Sequence, residues 1–258
     1  MKPFYDTIYL SPHLDDAALS CGGMIWSDTA VNQSNLIITV MAGDPPQATH
    51  SDYVASLHQR WNLNADAVAV RRQEDATACH ILGADYWHWD VPDCIYRHHP
   101  GNGQPFYVSD ADIFGRIHPQ ETGLVERLSR LIAALPAHDR LIVPLTAGHH
   151  VDHQLVRLAA ERSSRPDRLV YYEDYPYVRD EAALTAVIPT SSDDWQAQVI
   201  PLAATAVAAK IEAVAAFQSQ LSTFFNGRAD LAAQISNYVQ KVGGERLWYR
   251  LTNVQTAN

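Results

Sequence analysis

The chain has 258 residues, 29 of them acidic and 19 basic, and a net charge of −10. An acidic surface repels phosphate backbones, which argues against nucleic-acid recognition through a broad basic face. Hydrophobic residues at 47% against charged residues at 19% describe a globular chain, and no apolar run approaches the ~18 residues of a membrane span.

In chain order, short β-branched runs at 7–10, 36–41, 85–89, 141–144 and 169–172 read as strands. Helical patterns cover 16–27, 67–82, 121–135, 150–162 and an Ala-rich 202–219, where Ala206, Ile211, Val214, Ala215 and Phe217 form an apolar face. Gly83 follows the second helix as a left-handed cap. The alternation predicts an α/β fold, a Rossmann-like three-layer arrangement with a mostly parallel sheet flanked by helices, as one domain over 1–258. Two segments, 42–64 and 91–120, read as long loops holding most of the Gly, Pro and Asn of the first half. In such folds ligand groups collect beyond the carboxyl ends of the strands, so chemistry is expected in the turns after Leu10, Met41, Trp89, Pro144 and Tyr172. No Gly-x-Gly-x-x-Gly follows the first strand, which disfavours a dinucleotide. The N-terminal residues have one Lys and only a short β-like run, too little for a signal peptide, and a cytoplasmic protein is expected.

Three cysteines, Cys21, Cys79 and Cys94, are too few and too scattered for a disulfide framework or a four-cysteine zinc site. Cys21, inside the first predicted helix, reads as a buried and inert thiol. Twelve histidines are the unusual entry in the composition, and two clusters use some of them.

The first cluster is Ser11-Pro12-His13-Leu14-Asp15-Asp16, where the first strand hands over to a helix. Adjacent aspartates are good helix N-caps and suit the positive end of the helix dipole. His13 adds a second option, because an imidazole three residues before a carboxylate lets both reach one metal ion while Asp15 points elsewhere. The second cluster is Gly148-His149-His150-Val151-Asp152-His153, after the fourth strand, with His150 and His153 on one face once the helix starts. Alone it reads as a polar loop. Together the two offer the N/O donors of a catalytic zinc site with a position open for water, although iron, cobalt or manganese suit the same donors.

Pro-His-Leu-Asp-Asp followed by Ala-Leu-Ser-Cys-Gly-Gly, with a distant His-Val-Asp-His, resembles the PIG-L/LmbE metal-dependent deacetylases. The family pattern is His-Pro-Asp-Asp and His-x-Asp-His, and Leu14 stands here where Pro is usual. Arg71-Arg72-Gln73-Glu74-Asp75 with Leu82-Gly83, Tyr172-Glu173-Asp174-Tyr175-Pro176-Tyr177, and Lys210 with Ser219-Gln220 are similar to further family segments. The resemblance implies one Zn²⁺ held by His13, Asp16 and His153, with Asp15 as general base. It also implies His150 as the residue stabilising the oxyanion, with Asp152 orienting it through the other ring nitrogen. A carboxylate beside the cation is expected to titrate low. Arg71 and Asp93 match substrate-contacting positions; read from the residues alone, Arg71 is equally a surface helix charge. Asp174 is left open between a turn residue and a support for the metal centre. His149, His98 and His99 read as solvated loop histidines, and Trp61, Trp87, Trp89, Tyr96 and Tyr107 as aromatics around the rim or in the core.

The implied activity is hydrolytic removal of an N-acetyl or other N-acyl group from an N-acetylglucosamine-like sugar or conjugate, a small-molecule amino-sugar substrate. Two alternatives stand beside it: a zinc amidase acting on a thiol conjugate, and a non-catalytic sugar- or metal-binding protein. Retention of Asp15 weighs against mere binding, which needs no base.

Overall fold

The computed structural model describes residues 1–46, 51–63, 66–164, 168–190 and 192–251. Its centre is a seven-stranded sheet in the order β3-β2-β1-β4-β5-β7-β6. β1 (Phe4–Ser11), β2 (Asn35–Thr39), β3 (Asp85–His88), β4 (Ala137–Pro144) and β5 (Leu169–Tyr172) run parallel. β6 (Trp195–Ile200) and β7 (Glu245–Arg250) extend the β5 side antiparallel. The helices are α1 (Asp16–Ala30), α2 (Asp52–Trp61), α3 (Ala67–Leu82), α4 (Asp110–Ile113), α5 (Thr122–Ala133), α6 (Val151–Ser163), α7 (Glu181–Val187), α8 (Ala204–Ala215), α9 (Gln218–Phe224) and α10 (Arg228–Val242).

The expected three-layer α/β arrangement is present. Successive residues of the central strands bury opposite faces. Tyr9, Ile37, Ile142, Val170 and Tyr172 pack against α1, α3, α8 and α10. Ile8, Leu10, Leu36, Ile38, Leu141, Val143, Leu169 and Tyr171 pack against α5 and α6. Strands buried on both faces read as continuous apolar runs, which is why β1, β2, β5 and the end of β4 were visible in the sequence, whereas the partly exposed β3 shows only its Tyr86 and Trp87 aromatics. Gly83 is the left-handed cap of α3, at φ +70°.

Four expectations need correction. The two antiparallel strands were not anticipated, because Trp195–Ile200 is mostly exposed and carries no continuous apolar run. The Ala-rich helix is two helices: at Phe217 (φ −80°, ψ 63°) the chain turns and buries the ring in the core, with no Gly or Pro to announce the break. The segment 42–64 is not all loop, since Asp52–Trp61 is helical, capped by Ser51 accepting from Val54 N–H at 3.2 Å; 47–50 and 64 lie outside the described residues. Nor is 91–120 loose. Cys94, Ile95, Tyr96, Tyr107 and Ile113 pack with Val54 and Leu57 of α2 in a third apolar cluster.

One long-range clamp fixes α1. The Glu245 carboxylate of β7 accepts the N–H groups of Gly23 (2.9 Å) and Met24 (2.7 Å) and pairs with Lys210 of α8 at 2.7 Å. A Cβ at Gly23 would lie 2.4 Å from the Leu202 side chain, so glycine admits this approach.

Candidate active site

β1 delivers its last residues to the carboxyl edge of the sheet, and the chain turns into α1. Ser11 organises the turn: its hydroxyl donates to the His13 carbonyl (2.6 Å) and accepts from Ala17 N–H (3.0 Å). Asp16 accepts the His13 N–H at 2.8 Å. Asp15 occupies the N-cap position yet makes no capping hydrogen bond, so its carboxylate is not committed to the helix. It is buried, 3.8 Å from the Arg71 guanidinium. Burial and the Asp16 charge push Asp15 up to about 6, against the pull of Arg71 and His13. The protein groups therefore move it opposite to the low titration expected beside a cation.

The β4–α6 turn passes through left-handed backbone at Thr146, Gly148 and His149. At Gly148 (φ +87°) a Cβ would meet the Tyr177 ring at 2.6 Å, so glycine serves both the turn and the packing. His150 caps α6, its Nδ1 accepting from Asp152 N–H at 3.2 Å. That bond leaves the ring proton on Nε2. Burial and the neighbouring His13 hold His150 well below the ordinary imidazole range, hence neutral.

His13 and His153 share a pattern. Asp174, just after β5, accepts from His153 Nδ1 at 2.6 Å and from Ala147 N–H at 2.9 Å. Asp152 lies 3.1 Å from His13 Nε2. Each imidazole thus places its N–H on a buried carboxylate, and its remaining nitrogen faces Asp16: His13 Nδ1 at 3.3 Å and His153 Nε2 at 3.2 Å from the same oxygen. His153 Nε2 is buried without a hydrogen-bond partner among the described residues. A carboxylate oxygen flanked by two imidazole nitrogens calls for positive charge, supplied by ring protons or by a cation held between them. A two-nitrogen, one-oxygen set with outer nitrogens on carboxylates fits a divalent metal, zinc included. The same shortage of positive charge acts on the imidazoles. Against burial, Asp16 and Asp174 push His153 up to about 9, and Asp93, Asp152 and Asp16 raise His13 well above its usual value.

The expected contact between Asp152 and the His150 ring takes a different form. The Asp152 carboxylate is spent on Arg97 (2.7 Å), Cys94 N–H (3.0 Å) and His13, and only its backbone N–H reaches His150.

A cleft of about 200 Å³ opens over these groups, lined by His13, Asp15, Asp16, Arg71, Asp93 and His150 among others. The PIG-L family, described as GlcNAc-PI de-N-acetylase, matches residues 8–163, more than half of the chain and both histidine clusters. The chain belongs to the PIG-L family. It is accordingly an N-deacetylase, a hydrolase. A 2'-N-acetylparomamine deacetylase of Niallia circulans is 26% identical over 96% of this chain and 92% of its own length. Among solved structures, the zinc inhibited form of teicoplanin deacetylase Orf2 shares the fold at TM-score 0.76 and 23% identity, covering 97% of this chain and 99% of its own. The A40926 pseudoaglycone deacetylase Dbv21 follows at TM-score 0.71 and 25% identity, covering 96% and 98%.

Within this PIG-L chain the other sequence candidates fall in different places. Arg71 is buried rather than a surface charge. Its guanidinium lies 5.0 Å from the Trp61 ring centre, and its Nε has no hydrogen-bond partner among the described residues. Asp93 reaches the cleft but also sits 3.7 Å from His13 Nε2. Of the five rim aromatics, Trp61 lines the cleft; Trp89, Tyr96 and Tyr107 are buried in apolar clusters, and Trp87 packs against one. Tyr53, Phe114, Tyr177 and Phe224 line the cleft instead. His149 is exposed, and His98 and His99 bond within their own loop and to Gln120. Cys21 is buried in the core, as expected.

Sequence reasoning missed one component. Arg97, buried, joins Asp152 to Glu121, and Glu121 also takes the Tyr107 hydroxyl. An Arg and a Glu 24 residues apart give no periodic signal. Only the fold reveals that they share a carboxylate's surroundings.

Proposed function

We propose that this deacetylase removes the acetyl group from the amine of an N-acetylated amino sugar or its conjugate, with one zinc ion held by His13, Asp16 and His153. The observation that carries this reading is the convergence of a His13 and a His153 ring nitrogen on one Asp16 oxygen, with the uncommitted carboxylate of Asp15 beside them. The relatives' names support a small-molecule amino-sugar substrate: one acts on 2'-N-acetylparomamine, and two structural neighbours are deacetylases of teicoplanin and of the A40926 pseudoaglycone. All seven strands, from Phe4 to Arg250, share one sheet, which supports a single domain.

A divalent ion at this centre supplies Lewis acidity and lowers the pKa of water toward neutrality. The chain's own residues do the rest. Asp15, held near 6 by burial and Asp16, accepts a proton from the attacking water and returns it to the departing amine nitrogen. His150, neutral with its proton on Nε2, donates to the acyl oxygen as negative charge develops there. Asp152 and Asp174 hold the two ligand imidazoles in the tautomer that presents a lone pair inward. Arg71 and Asp93 line the cleft within reach of sugar hydroxyls.

Release of acetate and free amine from a panel of N-acetylated amino sugars and aminoglycosides tests the function. Turnover that is lost on chelation and restored by zinc is the expected result. Protein that binds no divalent ion and hydrolyses no member of the panel would overturn it.

A further inference from the structure

Two cavities meet at Asp15. The polar cleft shares Asp15, Gln220 and Phe224 with a second cavity lined by Leu19, Val214, Phe217, Leu221 and Phe225. The two differ in size and chemistry. The cleft, at about 200 Å³, offers Arg60, Arg71, Asp93, Asp110 and Tyr53 as polar partners. The second, at about 10 Å³, is walled by aliphatic and aromatic side chains from α1, α8 and α9 and the Phe225 that ends α9. Leu19 lies one helical turn beyond Asp15, so both present to the same face of α1.

We infer that the small cavity is the acyl subsite, which receives the methyl group of the substrate's acetyl and excludes longer acyl chains. The inference rests on the deacetylase reading of Asp15 and adds which side chains surround the acetyl methyl and limit the acyl length. A base must hydrogen-bond the attacking water, and that water must approach the acyl carbon at roughly 3 Å. The carbon's remaining substituent is one bond further, so it falls beside the Asp15 carboxylate. Of the substrate's parts only the acyl tail enters an apolar cavity without stranding polar groups, whereas sugar hydroxyls need the partners of the cleft. Size then decides the length of the tail. At about 10 Å³ against about 200 Å³ for the cleft, the cavity has room for a small group such as a methyl and none for a sugar ring. Phe224, shared by both cavities, is the wall between the sugar and acyl sides. The Thr223 hydroxyl next to it is buried without a partner among the described residues and lines the cleft side.

The test uses the zinc-loaded, full-length enzyme with N-formyl, N-acetyl, N-propanoyl and N-butanoyl glucosamine. For the unaltered protein kcat/KM should fall roughly 10- to 200-fold from acetyl to propanoyl, the discrimination of one methylene in an apolar pocket. Leu221→Ala should raise the butanoyl-to-acetyl ratio at least tenfold. Val214→Ile, which adds one methylene to the wall, should shift preference from acetyl toward formyl. Each ratio is internal to one variant, so partial loss of folded protein cancels. A flat profile across acyl lengths in the unaltered enzyme, or ratios unmoved in both variants, overturns the acyl subsite while leaving the deacetylase reading intact. Absence of turnover with every N-acyl substrate overturns the deacetylase reading and, with it, this inference.

Discussion

Strands β1 to β5 run parallel and end in turns that hold every imidazole and carboxylate of the candidate metal centre. β6 and β7 run antiparallel and hold none of them. The C-terminal third works at a distance instead. Glu245 of β7 anchors α1 through two backbone N–H groups, and Arg246, Trp248 and Tyr238 converge on Glu173, the residue before Asp174. Parallel crossovers bring strand ends to one edge and so concentrate reactive groups there. An antiparallel addition contributes backing, and its α8–α9 partners contribute walls to the cavities. Chemistry and support are therefore separable, and substitutions in the two regions should fail differently.

The largest effect is expected in the parallel half. Asp15→Asn removes the proton acceptor but no metal donor, so kcat should fall by ~10²–10⁴. Metal content, read by elemental analysis of the purified variant, should stay the same. Loss of metal together with activity would place Asp15 among the ligands instead. On the antiparallel side, Glu245→Gln strands the buried Lys210 charge and should cost about 3–5 kcal/mol of stability in denaturant unfolding. The protein that remains folded should keep its KM. Had Glu245 a chemical role, KM or kcat would move while the unfolding midpoint stayed in place.

The same division explains what the sequence revealed. Parallel strands buried on both faces announce themselves as apolar runs, and motifs at their ends are contiguous: His13 to Asp16 and His150 to His153 stand out together as clusters, while their separate roles came from the family resemblance. Asp174 stayed open between a turn residue and a support for the metal centre, because its partner His153 lies 21 residues earlier. Arg97 sits in a segment that read as loop and Glu121 at the start of an expected helix, and their link to Asp152 depends on packing between distant segments. β6 is mostly exposed and β7 pairs only through tertiary register, so neither carries a one-dimensional pattern that rises above a loop. The break at Phe217 depends on a ring entering the core, which local propensity does not record.

The reassignment of Asp152 gives a sharper test within the parallel half. If it orients His13, Asp152→Asn and Asp174→Asn should each weaken zinc affinity by roughly 10–100-fold, measured by chelator competition. If its carboxylate served His150 instead, Asp152→Asn would spare affinity and lower kcat alone. Equal losses of affinity in the two variants support matched roles on the two ligand imidazoles.

The smallest expected effect lies on the cleft wall, where α2 meets α3. Trp61 lies 5.0 Å from the Arg71 guanidinium, and Arg71 in turn is 3.8 Å from Asp15. Trp61→Leu keeps apolar bulk but removes the ring face, a loss of about 0.5–1 kcal/mol for a cation–π contact at a partly exposed site. If Arg71 binds the sugar, that loss should appear as a roughly two- to five-fold rise in KM with kcat unchanged. If Arg71 instead serves chiefly to keep Asp15 ionised, freeing it should lower kcat and leave KM in place. The KM-against-kcat split therefore separates a contact made to the substrate from one made to the base.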